Sequence, residues 1–149
     1  MDLRDLYQQI ILDHNKSPRN YHKLANANKE VEGFNPLCGD HYTIYLQVED
    51  DVIRDISFEG SGCAISKASA SLMSSMLKGK TVSEAEALFK KFHDIVTGQV
   101  DAEEHLIELG KLAAFSGVCD YPARVKCATL AWHTMHEGIS GQQGSVTTE

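Results

Sequence analysis

Apolar residues near the start of the chain recur every three or four positions, which is the spacing of one face of a helix. The helix predicted from this spacing runs from Leu3 to His14, and Ser17-Pro18 ends it, because the residue before a proline disfavours helical geometry. The polar stretch 19–29 is then predicted to be an irregular link.

Alternating apolar and polar positions follow, and this period of two predicts half-buried strands. Residues 42–48 form the clearest example, and residues 52–58 return along the sheet after the acidic turn 49–51. A third strand is expected around Glu30–Phe34. These segments predict an antiparallel hairpin with one additional strand.

The period changes from two to 3.6 residues in the segment EGSGCAISKASASLMSSMLKG (59–79). This change predicts a helix that starts at or near Cys63 and ends at Gly79. The segment Ser83–Glu86 matches a capping box, which is predicted to open the next helix. Gly98 is expected to close that helix.

The C-terminal part of the chain continues the helical pattern. Residues 101–109 and 111–116 are predicted to be two short helical pieces, and Pro122 is a favoured first position for the last helix. We expect one domain over residues 1–139 and a mobile polar tail over residues 140–149. The order of elements predicts an α+β fold, in which helices pack on one face of a small three-stranded antiparallel sheet.

Charge and hydropathy exclude two classes of partner. The 149 residues contain 21 acidic and 14 basic side chains, for a net charge of −7, and basic residues never cluster in runs longer than two. A nucleic-acid partner would require a basic face, so none is expected. No apolar run approaches the roughly 18–20 residues of a membrane span. The N-terminal residues resemble neither a secretory nor a transit signal, so we expect a cytoplasmic protein.

Four cysteines carry the candidate chemistry, and none of them forms a CxxC pair. Cys38 lies with Asp40 in a turn before a predicted strand, Cys63 lies at a helix N-terminus, and Cys127 lies in the second turn of the last helix. In a reducing cytosol such thiols are expected to be buried, catalytic or metal-bound. Cys119 lies outside any glycine-rich or acidic context and is expected to be structural.

Helix N-termini favour thiolates, which are the form of cysteine that binds metals and attacks sulfur. Three thiolates and one carboxylate around a divalent ion would carry a net charge of about −2. Arg124, Lys126 and Lys67 are the expected compensating cations. The donor set suits zinc and an iron–sulfur cluster equally. The alternative is that Asp40 is a turn residue and each cysteine is a small buried apolar side chain.

Three ordered motifs, NPLCGD (35–40), GSGCAIS (60–66) and PARVKCATLAWHT (122–134), resemble the IscU/NifU-N family of iron–sulfur cluster assembly proteins. The resemblance extends from Leu3 to about Gly138. It implies a three-stranded antiparallel sheet with helices on one side. The metal ligands that it implies are Cys38, Asp40, Cys63 and Cys127.

Within that family the chain is similar to the SufU branch. Lys126 stands where the IscU branch carries a histidine, and the helical sequence 97–116 is a SufU feature. The resemblance implies a zinc-binding sulfurtransferase that takes persulfide sulfur from a SufS-type cysteine desulfurase and passes it to a downstream SUF scaffold or apo-proteins. The expected acceptor is Cys38, because a turn is displaced more easily than a thiol on a helix. The alternative is an IscU-like scaffold that binds iron and assembles a [2Fe–2S] or [4Fe–4S] cluster.

Overall fold

The computed structural model describes residues 2–140 and 144–147, which form five α-helices, two 3-10 helices and four strands. The α-helices are α1 (Leu3–Lys16), α2 (Ala64–Leu77), α3 (Val82–Val96), α4 (Leu106–Leu109) and α5 (Pro122–Ile139). The strands are β1 (Lys29–Asn35), β2 (Asp40–Glu49), β3 (Val52–Ser61) and β4 (Gly144–Thr147). The 3-10 helices, Ala102–His105 and Gly110–Asp120, flank α4. Within these residues, no helix has the length and apolar content that crossing a membrane requires.

The predicted three-stranded antiparallel sheet is confirmed. β2 lies in the centre and pairs with β1 on one side and β3 on the other, both antiparallel. In this register Ile44 lies opposite Val31 of β1 and Phe58 of β3. The strands therefore place their apolar positions in rows across the sheet, as the period of two requires.

The segment that we expected to be a mobile tail contains a fourth strand. Residues 144–147 pair in parallel with β1, from Val31 to Phe34. The outer edge of β1 otherwise offers unpaired N–H and C=O groups, which favour the addition of a strand. Residues 141–143 and 148–149 lie outside the described residues.

The helices pack on one face of the sheet. Tyr42, Ile44 and Leu46 alternate along β2 and are completely buried. α5 contacts β1 and β2, and α2 contacts β3. α1 packs against α2, and α3 packs against α5. Trp132 of α5 is completely buried and stacks with Phe92 of α3 at 5.0 Å between ring centroids.

The approach of α5 to the sheet depends on two glycines. A Cβ atom at Gly33 of β1 would overlap Oγ1 of Thr134, and one at Gly138 would lie 3.0 Å from Cδ1 of Leu46. The absence of side chains at these two positions therefore lets the helix and the sheet pack closely together. This close packing fixes the distance between the start of α5, which carries Cys127, and the end of β1.

Most predicted helix boundaries are confirmed: Cys63 is the N-cap of α2, and α5 begins at Pro122. The capping box, however, is formed by Thr81 and Glu84 rather than by Ser83 and Glu86. Thr81 makes a bridge with the start of β3, and the N–H of residue 82 donates to a carbonyl in the β2–β3 turn. These contacts hold Thr81 extended, which is the geometry of an N-cap. The tertiary contacts thus select one of two matching sequence patterns.

A buried histidine between α1 and α2 makes stability sensitive to acid. His14 is 3% exposed, its Nδ1 lies 2.7 Å from Oγ of Ser71, and burial lowers its pKa from the ordinary value. The unfolded chain therefore binds a proton at a higher pH than the folded chain. Consequently, the stability associated with neutral His14 is present above about pH 6.5 and is lost as the pH falls toward the lower folded-state pKa.

We expect His14→Gln to reduce the loss of unfolding free energy between pH 7.5 and pH 5.5. Denaturant titrations at the two pH values measure this difference. The matched control is His22→Gln, because His22 is exposed and should leave the pH dependence as in the parent. Equal pH dependence in the parent and in His14→Gln would contradict the prediction.

Candidate metal centre

The turn between β1 and β2 carries Cys38. β1 ends at Asn35, β2 begins at Asp40, and these two residues face each other in the antiparallel register. The N–H of Gly39 donates to the carbonyl of Asn35 at 2.8 Å, and Gly39 has a φ of +75°, which glycine adopts without strain. Cys38 is therefore exposed at the end of the sheet.

The carboxylate of Asp40 is buried and is held by three donors. Its Oδ1 accepts hydrogen bonds from the backbone N–H of Cys63 at 2.9 Å and from the hydroxyl of Ser66 at 3.2 Å. Its Oδ2 accepts from Nδ2 of Asn35 at 3.1 Å. The hydroxyl of Tyr42 lies 2.9 Å from Oγ of Ser66, and burial raises the pKa of Tyr42, so this hydroxyl remains protonated. These contacts offset the cost of burying a carboxylate.

Cys63 occupies the N-terminal end of α2. Its backbone is extended, with φ −72° and ψ 170°, and its Sγ accepts from the backbone N–H of Ser66 at 3.5 Å. Interaction with the Cys127 thiol lowers the pKa of Cys63 to about 6, and the contacts of Cys63 with Ser66 act in the same direction. Cys63 therefore favours the thiolate at neutral pH, as expected at the positive end of a helix.

α5 brings the last thiol to the same place. Cys127 is 2% exposed, and its Sγ lies 3.3 Å from Sγ of Cys38 and 3.5 Å from Nδ2 of Asn35. Its interaction with Cys63, together with burial, raises the pKa of Cys127. The same interaction therefore favours the thiolate form of Cys63 and the protonated form of Cys127.

Three side chains form a group that could hold a metal ion. Cys38, Asp40 and Cys127 each offer a ligand atom, and these atoms lie within 4.8 Å of one another. The structure thus brings together three of the four predicted ligands. The Sγ of Cys63 is not in this group, and it accepts a hydrogen bond from the backbone N–H of Ser66. Cys63 nevertheless adjoins the group through its backbone N–H, which donates to Asp40.

The predicted cations lie near the start of α5 and on α2. Arg124 is exposed, Lys126 is half-buried, and neither forms an ion pair with another described residue. Nζ of Lys67 lies 5.2 Å from the ring centroid of Tyr21. The role of these cations in the site therefore stays a prediction.

Cys119, which was expected to be structural, and His41, which follows Asp40 in the sequence, lie apart from the group. Cys119 packs beside Gly98, where its Cβ would lie 3.4 Å from an added Cβ atom. His41 follows Asp40 directly, but its ring stacks on Phe34 at 4.3 Å between centroids. Neither residue belongs to the metal-ligating group among the described residues.

Sequence reasoning missed four residues that surround Asp40: Asn35, Tyr42, Gly62 and Ser66. A Cβ atom at Gly62 would lie 2.5 Å from Oδ1 of Asp40 and 2.5 Å from Oγ of Ser66, so only glycine leaves room for these contacts. A signal for Ser66 was present, because it lies three residues after Cys63, where a helix N-cap side chain finds its partner. No comparable signal marks Asn35, because its side-chain contacts follow only from its cross-strand pairing with Asp40.

Known proteins are similar to this chain over nearly its whole length. The family described as the NifU-like N terminal domain matches residues 6–140. The zinc-dependent sulfurtransferase SufU of Bacillus subtilis is 41% identical over 143 residues, which cover 96% of this chain and 95% of the relative. The iron–sulfur cluster assembly scaffold protein IscU of Streptococcus pyogenes is 39% identical over 137 residues, which cover 92% and 84%.

A solved structure extends the likeness to the fold. A crystal structure from Fervidobacterium islandicum, described as a candidate iron–sulfur cluster assembly scaffold protein for the SUF system, superposes with a TM-score of 0.81. It is 37% identical in sequence, and the match covers 93% of this chain and 99% of that one. The family match spans nearly the whole chain, and the solved structure shares its fold. The chain belongs to the NifU-like N-terminal domain family.

Proposed function

We propose that this protein is a zinc-dependent sulfurtransferase that accepts persulfide sulfur from a SufS-type cysteine desulfurase. The observation that carries the proposal is one exposed thiol, Cys38, in a group whose other two members, Asp40 and Cys127, are buried. A relative named as a zinc-dependent sulfurtransferase, which is 41% identical to the chain over 143 aligned residues, supports the same function.

The chemistry of the donor set fits zinc. Cys38, Asp40 and Cys127 supply two sulfurs and one oxygen, and rotation of the Cys63 side chain away from Ser66 would add a third sulfur. Zinc prefers four ligands of this kind in a tetrahedral arrangement. When bound, the ion would hold the thiols as thiolates. We propose Cys38, Asp40, Cys63 and Cys127 as the residues that hold it.

Cys38 is the proposed acceptor because it is the member of the group that a partner protein can reach. Its thiolate attacks the outer sulfur of the persulfide on the desulfurase cysteine. A new S–S bond forms to Cys38, the S–S bond on the desulfurase breaks, and the desulfurase cysteine leaves as a thiolate. The transfer involves no net oxidation. Cys127 is too buried for this role.

Two positive side chains near the start of α5 also have a role in the proposed function. A site with three thiolates, one carboxylate and a divalent ion would carry a charge of about −2 in a chain that is already acidic. Arg124 lies one helical turn before Cys127 and shares its face, and Lys126 is adjacent to it. We propose that these two cations offset the negative charge and favour approach of an anionic persulfide.

The proposed setting is the reducing cytoplasm, where free thiols persist. The sulfur held on Cys38 would pass to a downstream SUF scaffold or to apo-proteins. The second candidate function is an IscU-like scaffold that binds iron and assembles a [2Fe–2S] or [4Fe–4S] cluster. The relatives named as IscU scaffolds favour it, and the same sulfur ligands suit a cluster.

Metal analysis separates the two functions. We expect protein purified without air to contain about one zinc ion per chain and to be colourless, as a closed site of sulfur and oxygen ligands predicts. Stoichiometric iron and acid-labile sulfide in a brown protein would instead favour the scaffold function.

We expect Gly62→Ala to weaken metal retention. The added methyl group must displace Asp40 and Ser66, and overpacking of this kind typically costs about 1–3 kcal/mol of unfolding free energy. The measurement is the rate at which a chelator removes zinc. Gly117→Ala is the matched control, because a Cβ at Gly117 meets nothing within 4 Å. Equal release rates from the two variants would contradict the prediction.

We expect Cys38→Ser to abolish the stimulation of cysteine desulfurase turnover, because serine keeps an oxygen at the site but is a poor sulfur nucleophile. Cys119→Ser is the control, since Cys119 lies outside the group, and it should stimulate as the parent does. After incubation with desulfurase and cysteine, mass spectrometry should find the added sulfur on Cys38. Stimulation by Cys38→Ser at the parental level, or label on Cys127, would refute the acceptor assignment.

A further inference from the structure

The last residue of β1 places a polar side chain beside the metal-ligating group. Asn35 is completely buried, although it ends a strand and precedes an exposed turn. Its cross-strand partner is Asp40. Because directly opposed residues of antiparallel strands have adjacent side chains, the amide lies against the Asp40 carboxylate.

The amide nitrogen of Asn35 contacts two of the proposed ligands. Nδ2 lies 3.1 Å from Oδ2 of Asp40 and 3.5 Å from Sγ of Cys127. A primary amide carries two N–H groups, so that one can donate to each acceptor. The two acceptors, Asp40 in β2 and Cys127 in α5, are 87 residues apart in the sequence. One side chain therefore connects ligands from distant parts of the chain.

The orientation of the amide is informative, because it leaves the other amide atom unsatisfied. Oδ1 of Asn35 is buried and has no hydrogen-bond partner among the described residues. A buried oxygen without a hydrogen-bond partner is destabilising. Rotating the amide by half a turn would set Oδ1 against the Asp40 carboxylate and bring two acceptors together. The acceptors around Nδ2 therefore determine the orientation of the amide, although this orientation leaves Oδ1 without a hydrogen-bond partner.

We propose that Asn35 is a positioning residue for the metal site: its amide holds Asp40 and Cys127 together in their ligating arrangement and retains them there when Cys38 is engaged with sulfur. The inference rests on the proposed metal-dependent function and adds to it a residue that is not itself a ligand. A donor beside a thiolate and a carboxylate makes charge-assisted hydrogen bonds, which are stronger than neutral ones. Residues that orient metal ligands in this way typically contribute about 10–100-fold to metal affinity.

Two variants of Asn35 distinguish a role in positioning the metal ligands from a role in folding alone. Asn35→Leu keeps nearly the same shape, removes both donors and also removes the unpaired oxygen. Loss of the donor to Asp40 lowers the melting temperature of the metal-free protein and loss of the unpaired oxygen raises it, so the test measures the metal site directly. Asn35→Asp also keeps the shape but replaces the donor with an acceptor beside Asp40. Ser57→Ala is the control, because Ser57 is likewise buried with an unpartnered Oγ. Ser57 lies opposite Tyr45 of β2, and Tyr45 is about 16 Å along the strand from Asp40, so the control is remote from the metal site.

The experiment loads each protein with Co²⁺, records the visible absorption spectrum, and measures the rate at which a chelator removes Zn²⁺. We expect Zn²⁺ release from Asn35→Leu to be about 10–100-fold faster than from the parent, and release from Asn35→Asp to be faster still. Both should show altered Co²⁺ bands, since the spectrum reports the ligand arrangement, whereas Ser57→Ala should match the parent. Should Asn35→Asp fail to fold, Asn35→Leu alone provides the test.

Parental release rates and spectra in both Asn35 variants would overturn the inference. So would a lowered melting temperature of the metal-free variants with an unchanged Co²⁺ spectrum, because that result assigns Asn35 to folding alone. In either case the proposed function would stand if the parent binds one metal ion per chain. A parent that takes up neither Co²⁺ nor Zn²⁺ would overturn the proposed function, and this inference with it.

Discussion

The arrangement of the candidate site depends on the burial of one carboxylate. Asp40 is 1% exposed, and a carboxylate in such a place is stable only when its oxygens are hydrogen-bonded. Its donors are the amide of Asn35 at the end of β1 and the N–H and hydroxyl groups at the start of α2. One negative group thereby joins the sheet edge to a helix N-terminus. Because the contact with Cys63 uses the backbone, that helix end is fixed whichever way the Cys63 side chain turns.

A second, independent feature, the close packing of α5 on β1, brings Cys127 to the same place. α5 lies directly on β1, because Gly33 has no side chain to separate them. The buried face of α5 then directs Cys127 toward the end of the sheet, where its sulfur meets Cys38. Polar contacts thus organise one half of the site, and apolar packing organises the other. Asn35 contacts both halves.

The local patterns of the sequence predicted most of the fold. Periods of two and 3.6 residues located the three antiparallel strands and the long helices, and Cys63 and Pro122 marked two helix starts, because all of these depend on neighbouring residues. β4 was not predicted, since a short polar segment becomes a strand only when the edge of β1 is available to it. The capping box was misplaced by two residues because the same pattern occurs twice, and contacts with β3 decide between the copies.

The site was predicted to a similar extent. The resemblance of three motifs to a known family implied Cys38, Asp40, Cys63 and Cys127 as ligands, and the structure brings these groups together except for the Cys63 sulfur. That sulfur accepts a hydrogen bond from the N–H of Ser66 in α2, and the motif does not reveal this direction. Asn35 escaped notice because a residue before a turn is usually a turn residue, and only the cross-strand register reveals what its side chain contacts.

The short distance between two of the sulfurs also has a redox consequence. Sγ of Cys38 and Sγ of Cys127 lie 3.3 Å apart, whereas a disulfide bond is about 2.05 Å long. A small movement of the β1–β2 turn would allow an oxidant to remove two electrons and two protons from the pair. The resulting bond would consume the exposed thiol and a buried one together, and would leave Asp40 facing a disulfide that cannot bind a metal ion. Metal occupancy and protection from air are thus linked, since an ion held by both sulfurs keeps them from joining each other.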